Sequence, residues 1–166
     1  MKTKLIGFGM LAALVIVAGF GINQIKTSTK VTLSAETIQY ARSGVRIGDK
    51  SFSVELALTQ EQQSLGLGER DNLAKNSGML FVFKPARQET FWMKDMRFDL
   101  DMVWITDGKI VDISRHVPAF KEGAKTEDLP TYSPKTEVDH VLEINSGEAD
   151  GMKIGDRVEI INSSQV

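Results

Sequence analysis

Twice in this chain a pair of residues suited to a tight turn stands between two short runs of alternating apolar and polar side chains. In VRIGDKSFSVELAL the pair is Gly48-Asp49, and in LDMVWITDGKIVDIS it is Asp107-Gly108. Gly and Asp tolerate the positive φ that a two-residue hairpin turn demands, so each stretch reads as a β-hairpin. Along Ser51–Leu58, Phe52, Val54, Leu56 and Leu58 fall on one face, with Ser51, Ser53, Glu55 and Ala57 on the other. That period of two is the mark of a half-buried strand. Other short apolar runs follow: GMLFVF (Gly78–Phe83), TFWMK, VDHVLEI (Val138–Ile144) and a closing RVEII. GMLFVF is too apolar to meet water on either face. In Leu100–Ile105, Met102 with Trp104 and Val103 with Ile105 make both faces apolar as well.

Thr59-Gln60-Glu61-Gln62 has the spacing of a capping box and predicts a helix of one or two turns, ended by Gly66 or Gly68. Short strands spaced at regular intervals, without an alternation of strand and helix, predict a mainly all-β domain. Its expected form is a small β-sandwich or barrel with one or two short helices.

An N-terminal hydrophobic helix is expected to precede this domain. Leu5 to Ile25 carries no charge and follows MKTK. At about 1.5 Å per residue such a helix is roughly 30 Å long, enough to cross the hydrocarbon core of a bilayer. Lys2 and Lys4 hold the N-terminus on the cytoplasmic side by the positive-inside tendency. A cleaved signal would want small residues before the cut, and Gly19-Phe20-Gly21 is a poor version of that pattern. The expected organisation is therefore a signal anchor over 1–25, a tether over 26–43, a β domain over 44–162 and a short tail over 163–166. The domain would lie outside the cytoplasm, anchored, or secreted if the signal is cut. With no cysteine its stability must come from packing alone.

A formal charge of −2, with no cluster of Lys and Arg, argues against a nucleic-acid partner. Nucleophilic catalysis has no cysteine to use and no G-x-S-x-G, and the two histidines, His116 and His140, have no evident Ser–Asp company. Zinc lacks a ligand set. Asp95, Asp99 and Asp101 are hard oxygen donors but lack the loop pattern of a calcium site, so no metal and no cofactor is expected.

The polar residues of interest sit beside strand core. Alternation sends Phe91 and Met93 one way, and Trp92 and Lys94 the other, with Asp95 at the strand end. Glu143, within VLEI on the face of Val141, needs a cation or hydrogen-bond donors if buried, and Arg70 is the expected partner. Trp92, Lys94, Asp95, Asp101, Arg70 and Glu143 together make a candidate ligand-binding surface for a sugar or other small polar molecule. Trp92 would stack on a ring, the cations would meet acceptors, and the carboxylates would meet hydroxyls. An alternative is an envelope protein–protein adaptor, which predicts an exposed apolar patch. A third is a hydrolase using Asp101 and Glu143 as acid and base, which requires both carboxyls in one cleft at roughly 5–10 Å.

The stretch from about Ser53 to Ile160 resembles the DUF192 family, also called UPF0127. The resemblance rests on SLGLGER (Ser64–Arg70), GMLFVF, FWMKDMRFDLDMVWI, GKIV, VLEINSG and GMKIGDRV in that order. It implies a β-sandwich or barrel and brings no accepted catalytic residues. Three departures stand out. Asp95-Met96 replaces a common Asn-Thr, and Asp99 replaces a Pro. Pro118-Ala119-Phe120 and Leu129-Pro130-Thr131-Tyr132 stand where many members have a cysteine pair around the long loop over 118–136.

Overall fold

The computed structural model of the chain describes residues 38–119 and 129–162. The expected anchor helix, most of the tether, part of the 118–136 loop and the tail lie outside them. Among the described residues no helix is long and apolar enough to cross a membrane.

The hairpin signals mark real turns. Strand β1 (Ala41–Ile47) pairs antiparallel with β2 (Lys50–Ala57), closed at Gly48-Asp49. Strand β5 (Leu100–Thr106) pairs with β6 (Lys109–Val117), closed by Asp107 and Gly108, both at positive φ. β1 begins at Ala41, inside the stretch expected to be tether. Helix α1 (Gln60–Leu65) has both reciprocal bonds of the capping box at Thr59 and stops at Gly66. The remaining strands are β3 (Ser77–Arg87), β4 (Phe91–Trp92), β7 (Thr131–Tyr132), β8 (Val138–Asn145) and β9 (Val158–Asn162).

Seven strands form one sheet in the order β6-β5-β8-β3-β2-β1-β9, and β4 pairs with β7 in a separate ribbon. All neighbours in the large sheet are antiparallel except β2 and β3. Parallel neighbours cannot be joined by a tight turn, so residues 58–76 cross over and carry α1 with them. The absence of any strand–helix–strand unit, expected from the sequence, is corrected at this one place. The two edges of the sheet then meet at one end. Ile110 N–H donates to Asp156 O (3.0 Å), Gly155 N–H to Ile110 O (2.8 Å) and Val158 N–H to Gly108 O (2.9 Å). The sheet is thus curled into a half-barrel.

Curling gives the sheet two unequal faces. The inner core draws on all seven strands, among them Val45, Phe52, Leu80, Val103, Ile110, Leu142 and Val158. The outer core rests on the middle strands, through Met79, Phe81, Phe83, Met102, Trp104 and Val141. Leu67, Met93 and Met96 lie over it from the connecting segments. Every residue of β5 from Leu100 to Ile105 is buried because this strand serves both cores. At roughly 1.5–3 kcal/mol per large apolar side chain, this two-sided burial is what stabilises a chain without cross-links. Leu58, expected on one face with Phe52, Val54 and Leu56, is instead exposed, since β2 ends at Ala57 and the crossover leaves the sheet there.

Candidate functional site

The outer face holds a cavity of about 440 Å³. Its floor is the sheet itself. β3 turns Phe81 and Phe83 outward, and β8 turns out Glu143, which is flanked in register by Met79 on one side and Met102 on the other. Phe91 from the ribbon stands edge-on to Phe81 (centroids 4.9 Å apart), Phe83 (6.4 Å) and Trp104 (5.4 Å). Such edge-to-face contacts set the positive rim of one ring against the negative face of the next.

The walls come from the two motifs on either side of β3. Gln63 ties α1 to the sheet by donating from Nε2 to Ala57 O (3.2 Å) and Val82 O (3.0 Å). The chain then passes Leu67, and Glu69 N–H donates to Asp95 O (2.9 Å), so SLGLGER and FWMKD meet at the mouth. Asp95 has φ 58°, a left-handed conformation that Asn and Asp tolerate better than most side chains. That bend ends the extended FWMK run and leaves β4 only two residues long. Trp92 is half-exposed at the rim, with the Lys94 ammonium 5.8 Å from its ring centre. Lys94 Nζ is also 3.6 Å from Asp95 Oδ2. Opposite, Arg87 lies 4.9 Å over the Phe83 ring and pairs with Glu89.

Glu143 sets the electrostatics. It is 5% exposed, opens onto the cavity, and among the described residues no donor reaches its carboxyl. Burial pushes its pKa up to about 8, because the charged form loses its hydration and gains no partner. At neutral pH it is a carboxylic acid, with one O–H to donate and an oxygen to accept.

Of the six residues expected at the site, Trp92, Lys94, Asp95 and Glu143 share this cavity. Arg70 and Asp101 do not. Arg70 follows Glu69, whose φ of 65° turns the chain toward β2, and it pairs there with Glu55 (2.6 Å) over the Tyr40 ring. It is not the partner of Glu143. Asp101 sits opposite Ile144 on the inner face, where its carboxylate accepts from the backbone N–H groups of His116, Gly147 and Ala149 (2.8 Å each). It pins the end of β6 to the turn after β8. Asp101 and Glu143 therefore lie on opposite faces of the sheet, and the acid–base pairing of these two carboxyls is ruled out. Asp99 also serves the backbone, accepting from Ala119 N–H (2.7 Å). Among the described residues no group of acidic or histidine side chains is placed to hold a metal ion.

Two features were hidden in the sequence. The aromatic wall was one, since Phe81, Phe83 and Phe91 read only as core. The other is company for His116, whose Nδ1 lies 3.0 Å from Ser146 Oγ and whose Nε2 lies 3.7 Å from Asp150 Oδ1. His116 and Asp150 are solvent-exposed, and the N–H groups of Ser146 and Gly147 are already given to Asp99 O and Asp101. Neither amide is left for an oxyanion, so the resemblance to a catalytic triad stops at three residue types.

A curled mixed sheet with a cavity on its outer face defines a small β-domain of half-barrel type. Residues 43–160 match the model of the DUF192 family, described as an uncharacterised ACR, and the chain belongs to that family. A protein from Sinorhizobium meliloti 1021, provisionally described as a transcription regulator, is 32% identical, with a TM-score of 0.67 over 75% of this chain and 97% of that one. A protein of unknown function from Novosphingobium aromaticivorans DSM 12444 is 30% identical, with a TM-score of 0.63 over 75% and 88%. No curated protein matches the chain.

Proposed function

We propose that the protein is a small-molecule binding domain. Its ligand enters the outer-face cavity, lays a flat or ring-shaped body along Phe81, Phe91 and Trp92, and hydrogen-bonds to Glu143. One observation carries this reading: a buried carboxyl, without a partner among the described residues, opens onto a cavity of ligand size. An unpaired polar group in that position costs stability, and an apolar residue of the same volume would not. A ligand that meets Glu143 accounts for its presence. The uncharged stretch from Leu5 to Ile25 supports placing this domain outside the cytoplasm on a membrane anchor. The description given to the Sinorhizobium relative finds no support in charge here, where the net value is −2.

The adaptor reading asks for a contiguous apolar patch. Among the described residues the most exposed large apolar side chains are Leu58, Trp92 and Ile154, and the buried carboxyl opening onto the cavity, which an adaptor does not need, favours the ligand reading. Calorimetry with a panel of glycans and envelope fragments tests it, with Glu143→Leu and Trp92→Ala as controls. Saturable binding that weakens at least about tenfold in Glu143→Leu is expected. Silence across the panel, or equal binding by both variants, would count decisively against the cavity.

A further inference from the structure

The charges that face Glu143 are unequally matched. Glu69 comes from the segment after α1, Arg87 and Glu89 from the end of β3 and the turn beyond, and Lys94 and Asp95 from the bend after β4. Both cations are already engaged, Arg87 with Glu89 and Lys94 with Asp95. Glu69 and Glu143 have no such partner among the described residues. Among the described residues, an anionic ligand would thus find only occupied cations, whereas a cationic one would find a carboxyl without a partner in a low-dielectric, ring-lined space. The rings already show this affinity: Arg87 rides on Phe83 and Lys94 on Trp92, leaving Phe81 and Phe91 beside the carboxyl.

We infer that the ligand carries a protonated amine next to a ring or alkyl body, and that the Glu143 carboxylate holds the amine while the aromatic wall packs the body. This rests on the cavity being the binding site proposed above. Binding then has a proton balance. The empty site holds Glu143 as the neutral acid below about pH 8, so docking of an ammonium group expels that proton to solvent and leaves a carboxylate–ammonium pair.

The test uses the full-length chain in detergent micelles, with benzylamine and its neutral counterpart benzyl alcohol as probes in calorimetric titrations. Buffers of different ionisation enthalpy report proton release. Benzylamine is expected to bind at least about tenfold tighter than benzyl alcohol at pH 8. It should gain about 50-fold in affinity from pH 6 to pH 8 and release about one proton at pH 7. Glu143→Gln should lose both the preference and the pH dependence. Equal affinity for the two probes in the wild type, or a benzylamine preference that persists in Glu143→Gln, overturns the amine assignment. If a compound from the glycan and envelope panel still binds in the cavity, that result leaves the binding function standing. Failure of every compound at the cavity overturns both.

Discussion

Asp101 and Glu143 stand one pleat apart on adjacent strands, and their surroundings could hardly differ more. Asp101 collects three backbone N–H groups on the inner face, while Glu143 faces outward between two methionines with none among the described residues. In the sequence both are acids inside apolar runs. Alternation assigns their faces, but only the fold shows that the turn after β8 curls back to serve Asp101 and that Arg70 goes to Glu55 instead of Glu143. A bare buried carboxyl has a definite effect on stability. Below about pH 4.5 it is protonated in both folded and unfolded chains. As pH rises toward 8 the unfolded chain ionises and the folded one does not, so stability falls across that window and levels off above it. Glu143→Gln cannot ionise and should escape the fall. Urea denaturation at pH 5 and pH 8.5 is expected to show the variant gaining roughly 2–4 kcal/mol on the wild type over that range. Parallel stability curves for the two proteins would mean that Glu143 is ionised in the folded state.

At the scale of elements, local chemistry was easy to read and long-range pairing was not. Gly48-Asp49, Asp107-Gly108 and the box at Thr59 each act within a few residues, and each sits where its spacing put it. The parallel contact of β2 with β3 joins segments whose link is a crossover, and nothing within either strand announces it. Likewise FWMK reads as a full strand until the left-handed Asp95 cuts it short. Gly78, which read only as the start of an apolar run, proves to be a spacing device. A Cβ there would stand 2.6 Å from Glu143 O and 3.0 Å from Ile144 Cγ2. The obstacle is strand backbone, which cannot swing aside as a side chain does, so β3 and β8 would be forced apart under the cavity floor. Gly78→Ala is expected to cost about 2–3 kcal/mol in denaturant midpoint experiments. A variant as stable as wild type would contradict this close approach.

For the molecule as a whole, the weakest place should be the seam. The middle of the sheet is paired along continuous ladders and buried on both faces, whereas β6 meets the approach to β9 through only a few hydrogen bonds. Amide hydrogen exchange should therefore find Gly155, Ile110 and Val158 opening at lower free energy than Leu80 and Leu142. Uniform protection across these five amides would show that the curled sheet opens only as a unit. The candidate site was half legible for a reason at this scale. Trp92, Lys94, Asp95 and Glu143 were suspect as polar or half-polar residues beside core, a local anomaly. The phenylalanines that face the cavity were not, since an aromatic residue lining a void and one filling a core look alike until the overlying segments are placed. Those segments form a separate layer, because rolling the sheet hides one side of it within itself. The pieces draped over the other side can then be exchanged to alter what is captured while the rolled scaffold persists, which makes them the place to graft a different specificity.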